Sequence, residues 1–292
     1  MSSPVFAHLL PATFKEEVIQ WAREDCPATD IGGFVVGEKI ETATLYCKST
    51  TVLAGVPFAC ALLDFYGLTY TWTTEEGQLI DVEAAGGKVV VAKVEGKCRD
   101  ILLVERTCLN ILSRASGVAA AARKAVQIKE KHNWHGYVAG TRKTTPGFKS
   151  VEKYALVVGG AATHRLDLSQ MVMLKDNHIW SAGSITNAVK KARSAAGFSM
   201  KIEVECQSVA EALEAAAAGA DIVMLDNFTS DSIEAAAGQI KAQFPHILVE
   251  ASGGITEATM GEFMSPSVDV ISRGSLTQGY ACADFSLKID RK

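Results

Sequence analysis

No stretch of the chain approaches 18 uninterrupted apolar residues, so a membrane-spanning helix is not expected. The opening run MSSPVFAHLLPATFKEE lacks a basic start and a full apolar segment, and no secretion signal is expected from it. Seven cysteines are present, at 26, 47, 60, 98, 108, 206 and 282, but none forms a C-x-x-C pair and their number is odd. That pattern points away from a disulfide framework and toward reduced, packed thiols in a cytoplasmic protein. No cluster of Cys or His has zinc-ligand spacing. A basic excess is missing as well: 33 acidic against 29 basic residues leave a net charge of −4, which argues against non-specific nucleic-acid binding but leaves room for a local basic pocket. The G-x-G-x-x-G turn of a dinucleotide-binding sheet is also lacking.

What the chain does have is 48% apolar residues with charges spread along its 292 positions. It can bury a sizeable core, as one large domain or two. Up to about residue 105, helical patterns near Thr13–Asp25 and Pro57–Tyr66 mix with the β-rich runs ATLYCKS, LTYTWTT, LIDVE and KVVVAKVEG. Turn residues separate these runs, which reads as helices on a mainly antiparallel sheet. An alanine-rich helix is expected over Asp100–Lys131, with Ser116-Gly117 as a candidate break or kink.

After Trp134 the rhythm changes. The runs GYVAGTRK, MVMLKDNH, KIEVEC, DIVMLDN, ILVEASGG and VDVISRG each end in polar or charged residues and alternate with helical patterns such as KSVEKYALVVGG, ITNAVKKARSAAG and VAEALEAAAAGA. Regular β/α alternation implies a parallel sheet that closes toward a barrel. Six units are fewer than eight, so the barrel is expected to be incomplete. The expected architecture is an N-terminal α+β sandwich domain, residues 1–112 joined by the tail 276–292, followed by an incomplete TIM-like α/β barrel over 113–275.

In a barrel the strand ends converge on one mouth. Here they bring cations first (Arg142, Lys143, His164, Arg165, Lys175), then carboxylates (Glu205, Asp226), then glycines (Ser252-Gly253-Gly254, Gly274). Arginine binds planar carboxylates through paired N–H donors, and several cations in one pocket repel unless an anion is expected. Strand-end carboxylates suit ribose hydroxyls, magnesium or a developing cation. Helix capping is the plain alternative for Asp226, although Asp231 suits it better. Glu203 faces the same side as Glu205, and spacing does not choose between them. The late glycines suit a phosphate cradle. Cys206 faces away from Glu205 and reads as packing.

The motifs ERTCLNILSRASGVA, GTRKTTPGF, GGAATHRLDL, MLKDNH, IEVEC, LDNF, EASGGI and DVISRGSLTQ, in this order over roughly Gly55 to Leu287, resemble those of the quinolinate phosphoribosyltransferases, animal forms in particular. The resemblance implies that quinolinate and phosphoribosyl pyrophosphate are the substrates, with Mg2+ as the cofactor. Nicotinate mononucleotide, carbon dioxide and pyrophosphate would be the products, in de novo NAD biosynthesis. It implies that Arg142, His164, Arg165 and Lys175 hold the quinolinate carboxylates and that Lys143 serves both substrate and pyrophosphate. Glu205 and Asp226 would address ribose and metal, which breaks the tie with Glu203. Ser252, Gly253, Gly254 and Gly274 would hold the 5′-phosphate. Lys143, Lys175, Glu205 and Asp226 form the expected catalytic set. The resemblance further implies a homodimer, or a hexamer of dimers, in which Arg106 reaches a partner's site; without it, Arg106 reads as a surface arginine. Arg273 and Trp180 receive no role. A phosphoribosyltransferase for another pyridine carboxylate is the nearest rival. A sugar-phosphate-sensing barrel would have no reason to keep Arg142, Lys175, Glu205 and Asp226 together.

Overall fold

The computed structural model describes residues 5–279 and 281–291. The chain divides into two compact units, one made of Met1–Arg123, Thr144–Gly160 and Gly279–Lys292, the other of Lys124–Lys143 and Ala161–Gln278.

The first unit opens with helices α1 (Phe14–Asp25) and α2 (Ile31–Val36), then strands β1 (Ile40–Cys47) and β2 (Thr51–Val52). Helix α3 (Val56–Phe65), β3 (Thr69–Trp72), β4 (Leu79–Ile80) and β5 (Val89–Lys97) follow. The final strand, β12 (Phe285–Ile289, counting the six strands of the second unit as β6 to β11), returns to this unit and pairs antiparallel with β1, giving the order β12-β1-β5-β3. Alternation is plain in β5, where Val91, Ala92 and Val94 are buried between exposed Val90, Lys93 and Glu95. In this unit α2, six residues long, and β2, two residues long, went unread in the sequence.

Helix α4 (Cys98–Lys131) runs unbroken through Ser116-Gly117. Tertiary contacts explain why the small pair does not break it: the fully buried Ser116 hydroxyl accepts from the Ala54 N–H at 3.0 Å, and Thr51 Oγ1 donates to the Ser116 carbonyl at 3.0 Å. Helix α5 (Lys149–Val158), read from the sequence as the helix after the first barrel strand, belongs to the first unit instead. Tyr154 packs edge-on against Phe58, with ring centroids 5.5 Å apart. Glu152, fully buried, accepts from Arg114 Nε at 2.9 Å and from the Thr145 amide and hydroxyl at 2.9 and 2.8 Å. A buried carboxylate supplied with this many donors anchors its segment firmly.

The second unit holds a six-stranded parallel sheet: β6 (Tyr137–Ala139), β7 (Val172–Leu174), β8 (Ile202–Cys206), β9 (Ile222–Asp226), β10 (Leu248–Ser252) and β11 (Val270–Ser272). The order is β6-β11-β10-β9-β8-β7. Helices α6 (Asp176–Ala182), α7 (Ile185–Ala196), α8 (Val209–Ala218) and α9 (Ser230–Gln243) connect the later strands. Ser184 and Ser208 cap α7 and α8 by accepting from Asn187 and Glu211 amides. Thr229 takes the cap position of α9, with Asp231 in its first turn. Strands β6 and β7 form the two edges, because the chain between them leaves for the other unit as α5. It returns with an isolated parallel bridge, Ala139 to Ala162, in place of a full strand. The α/β barrel is incomplete at that seam.

Glu76 carries a testable consequence in the first unit. Its carboxylate accepts from the Gly55 and Val56 amides at the start of α3, at 2.9 and 3.0 Å, and burial pushes its pKa up to about 7. A carboxyl raised above its unfolded value binds its proton more tightly when folded. Stability should therefore be fullest below about pH 4.5 and fall as pH rises toward 7, by at most roughly 1.4 kcal/mol per pH unit from this group. Denaturant melts of the native chain and of Glu76→Gln between pH 5 and 8 should show the slope in the first and a flatter profile in the second.

Candidate active site

The strand register decides which side chains share the barrel interior. On β8, Glu203 and Glu205 alternate with Val204 and Cys206; on β10, Glu250 and Ser252 alternate with Val249 and Ala251. Ser252 lies beside Asp226, and Ser272 beside Ala139. Two layers result. The lower holds Glu203 and Glu250, both essentially without solvent access. The upper lies at the strands' carboxyl ends, where Lys175, Glu205, Asp226 and Ser252 follow one another along β7 to β10.

In the upper layer Lys175 Nζ is ion-paired with Glu205 Oε2. Asp226 Oδ2 accepts from Asn227 Nδ2 at 2.7 Å and Gln207 Nε2 at 3.4 Å. Neither Asn227 nor Gln207 was singled out from the sequence, although Asn227 sits in the quoted LDNF motif. Asn227 adopts the left-handed conformation, φ 58°, and its N–H donates to the Ser252 carbonyl at 2.9 Å. Gly253 and Gly254 follow with φ of 89° and 65°; a Cβ on Gly253 would lie 2.3 Å from Asn227 Oδ1 and 2.8 Å from the Asn227 nitrogen. Only glycine fits there, and it leaves backbone N–H groups at an approachable surface. A Cβ on Gly274 would meet Lys143 Cδ at 2.8 Å, which brings the lysine stem against the last loop. Thr277 Oγ1 donates to the Lys143 carbonyl at 2.7 Å, tying the two segments together.

Arg142 and Lys143 are exposed, whereas Arg165 is buried and donates through Nη1 to the Met171 carbonyl at 3.1 Å. Burial, and after it the positive charge of Arg142, hold the Arg165 guanidinium below its ordinary pKa; Glu203 acts in the opposite direction. Glu203 has no hydrogen-bond partner on either oxygen among the described residues. Burial first, and then the Glu250 charge, push its carboxyl well above the usual range.

His164, expected to hold a substrate carboxylate, is engaged on both ring nitrogens within the chain in this structure. Its backbone is left-handed, φ 56°, and its Nδ1 accepts the Arg165 N–H at 2.8 Å while Nε2 lies 3.0 Å from Glu250 Oε2. Both ring nitrogens are used inside the barrel. The same geometry bears on metal binding. His164, Glu203 and Glu250 bring ligand atoms within 4.8 Å of one another. An imidazole whose Nδ1 accepts a proton carries its own hydrogen on Nε2, and a protonated nitrogen is a donor to carboxylate, not a metal ligand. In the lower layer His164 Nε2 thus donates to Glu250, with Glu203 Oε2 3.5 Å from the same nitrogen.

Other side chains are structural. Arg273 is buried and donates to the Ile255 carbonyl at 3.2 Å and to Ser275 Oγ at 3.1 Å, which braces the loop after β11. Cys206 is buried and burial raises its thiol pKa, which leaves no reactive thiolate. Trp180 is 72% exposed, and nothing in the structure gives it a role. Arg106 is exposed on α4. It lies in the first unit, as do Thr145 and the rest of the GTRKTTPGF motif after Lys143. Glu203, Glu250 and Ser272 had a sequence signal, a polar residue at an inward position of an apolar strand, that was left unused for the last two.

Fold and site together define a barrel enzyme whose mouth gathers cations, carboxylates and a glycine loop around a polyanionic substrate. Residues 30–116 match the family described as quinolinate phosphoribosyl transferase, N-terminal domain, and residues 118–288 match its C-terminal domain. The nicotinate-nucleotide pyrophosphorylase [carboxylating] of Rattus norvegicus is 49% identical over 282 residues, covering 96% of this chain and 92% of the relative. The protein of the same name from Homo sapiens is 48% identical over 284 residues, covering 97% and 94%. A solved nicotinate-nucleotide pyrophosphorylase from Francisella tularensis superposes with a TM-score of 0.87 at 30% identity, covering 99% of this chain and 100% of that one. The chain belongs to the quinolinate phosphoribosyltransferase family.

The Gly253 geometry gives a direct test of the loop. Gly253→Ala forces a Cβ onto Asn227 at an unfavourable φ, so the Michaelis constant for phosphoribosyl pyrophosphate should rise about tenfold or more while that for quinolinate changes far less. Steady-state kinetics with each substrate varied in turn would show the split, and equal rises would point to a general folding defect.

Proposed function

We propose that this chain transfers the phosphoribosyl group of phosphoribosyl pyrophosphate to quinolinate with decarboxylation, forming nicotinate mononucleotide, carbon dioxide and pyrophosphate in the cytosol. The observation that carries the reading is the gathering of Arg142, Lys143, Arg165 and Lys175 with Glu205, Asp226 and the Ser252-Gly253-Gly254 loop around the carboxyl ends of one parallel sheet. Several cations in one site call for a ligand with more than one negative charge, and a pyridine dicarboxylate supplies it. No helix among the described residues is long and apolar enough to cross a membrane, and all seven cysteines are free.

In this reading Arg142, Arg165 and Lys175 bind the two quinolinate carboxylates and orient the ring nitrogen toward the ribose. Ser252, Gly253, Gly254 and Gly274 receive the 5′-phosphate, and Lys143, packed against Gly274, meets the pyrophosphate. Glu205 and Asp226 present hard oxygen donors on neighbouring strands, a set that fits Mg2+ when substrate phosphates complete the shell. The ion, when bound, neutralises charge on the leaving pyrophosphate. As the anomeric carbon loses that group it becomes cationic, and the two carboxylates stabilise it. The ring nitrogen attacks and the ring becomes a pyridinium; when the adjacent carboxylate leaves as carbon dioxide its bonding pair stays on the ring carbon, stabilised by the neighbouring positive nitrogen, and a proton from water completes the new carbon–hydrogen bond. The protein's task is to hold two polyanions together and neutralise them. Lys175 has a double duty: its ion pair with Glu205 ties the acid-binding cations to the ribose-facing carboxylates.

Purified protein with magnesium, phosphoribosyl pyrophosphate and quinolinate should release carbon dioxide, and nicotinate in place of quinolinate should not be turned over. Turnover of nicotinate in preference to quinolinate would overturn the substrate assignment. Glu205→Ala and Asp226→Ala should each lower turnover far more than they weaken quinolinate binding by calorimetry; native turnover in both would remove their role.

A homodimer, or a hexamer of dimers, with shared sites completes the proposal, Arg106 of one protomer serving the site of its partner. Arg106→Ala and Lys175→Ala should each be nearly inactive alone. When the two variants exchange subunits, about half the dimers are mixed, each with one intact site of two, so activity should return to roughly a quarter of the native value. Exchange without recovery would show that Arg106 does not act across the interface.

A further inference from the structure

Glu250 lies midway along β10, 1% exposed, in register with Met224 on the neighbouring strand. An apolar residue such as that methionine is what the interior of a parallel sheet ordinarily holds, because a buried carboxylate must be matched by donors or it destabilises the fold. Glu250 is matched on both oxygens, and the two donors come from opposite sides. Oε2 faces His164 Nε2 at 3.0 Å, and Oε1 accepts from Ser272 Oγ at 2.6 Å.

Each donor leads one step further, to a different substrate subsite. On one side, His164 Nδ1 accepts the Arg165 N–H at 2.8 Å. The ring, held at both nitrogens, fixes the left-handed turn at His164, a conformation that is unfavourable for a residue with a side chain and needs such a tie. The turn sets where the Arg165 side chain leaves the backbone. On the other side, the Ser272 and Ser252 hydroxyls are 3.0 Å apart. Ser272 has one proton, and the short contact with the carboxylate takes it, so the Ser252 hydroxyl supplies the proton between the two.

We propose that Glu250 is a positioning residue for both substrates: through His164 it fixes Arg165 in the acid subsite, and through Ser272 it fixes Ser252 in the phosphate subsite. This rests on the assignment of Arg165 to a quinolinate carboxylate and of Ser252 to the 5′-phosphate. The carboxylate touches neither substrate. It serves the two subsites from the floor of the barrel, each through its own carboxylate oxygen.

The chemistry of the conservative replacement makes the test sharp. Glu250→Met removes both acceptors at similar volume, and the Michaelis constants for quinolinate and phosphoribosyl pyrophosphate should both rise about tenfold, the loss of roughly one hydrogen bond on each side. Glu250→Gln keeps one acceptor oxygen. Turned toward His164, it preserves that arm, while its amide donates to Ser272 and reverses the hydroxyl pair. The quinolinate constant should then return to within about threefold of native, with the phosphoribosyl pyrophosphate constant still altered. Ser272→Ala should change the phosphoribosyl pyrophosphate constant alone. A merely structural role would move both constants together and give no rescue by glutamine. Arg165→Ala and Ser252→Ala are the controls: if they leave their respective constants unchanged, the subsite assignment fails. If they raise them while Glu250→Met, folded by circular dichroism, binds both substrates as the native chain does, the positioning role alone fails. Should Glu250→Met not fold, Glu250→Gln and Ser272→Ala decide: the split described supports the role, and parallel changes in both constants overturn it.

Discussion

Like charges gathered at one end of a parallel sheet repel, and the second unit is organised around that repulsion. Glu203 and Glu250 share the lower layer of the barrel, and Arg165 sits near enough to Arg142 for each to feel the other. Nothing in strand formation asks for these groups; IEVE and ILVE would be better strands with apolar residues at every inward position. The arrangement persists because opposite charges interleave. Glu203 favours the charged form of Arg165, Lys175 pairs with Glu205, and Glu250 is matched by hydrogen bonds from His164 Nε2 and Ser272 Oγ. The site is therefore close to balanced within itself yet rich in groups that gain from a polyanion.

The broken seam of the barrel follows from a competition for one helix. A regular β/α unit would lay α5 over β6 and let the next strand pair with it. The sequence gives α5 stronger reasons to go elsewhere: Tyr154 against Phe58, and a buried Glu152 collecting Arg114 and Thr145. The returning chain has only Ala161 to Arg165 in which to rejoin the barrel. It makes one bridge at Ala162 and then turns through the left-handed His164. The seam is thus where the backbone is least regular, and it is where the histidine and arginine of the T-H-R-L segment enter the interior. An eight-stranded barrel would bury that position under a strand pair and leave no irregular backbone from which to present Arg165 sideways.

Much of this was legible in the sequence. The six parallel strands, the three helices from Ile185 to Gln243 and the strand-end positions of Lys175, Asp226 and Ser252 follow from periodicity and from what ends each strand, whereas the choice of Glu205 over Glu203 came from the family resemblance. Elements of two to six residues, such as β2 and α2, carry too few positions for a period to register. The unbroken α4 was misjudged because Ser-Gly is a local signal, whereas the bond from Ser116 to Ala54 is a tertiary one. The placement of α5 failed for the same reason: its amphipathic pattern says that one face is buried and cannot say against what. His164 was read as a ligand because a histidine beside an arginine at a strand end looks like one. Its hydrogen-bond partners within the chain, Glu250 and its own neighbour's amide, are far in sequence or invisible to pattern.

A dicarboxylate ligand fits this charge pattern better than a monocarboxylate does. One carboxylate brings a single negative charge to a site that holds Arg142, Arg165 and Lys175. Lys175, whose ion pair with Glu205 has to loosen if it is to turn toward the ring, would then gain too little to offset that loss. A second carboxylate on the adjacent ring carbon changes the balance, since it offers Lys175 a partner of equal charge and returns Glu205 to the ribose side, where positive character develops. Binding the acid and arming the ribose-facing carboxylate become the same event.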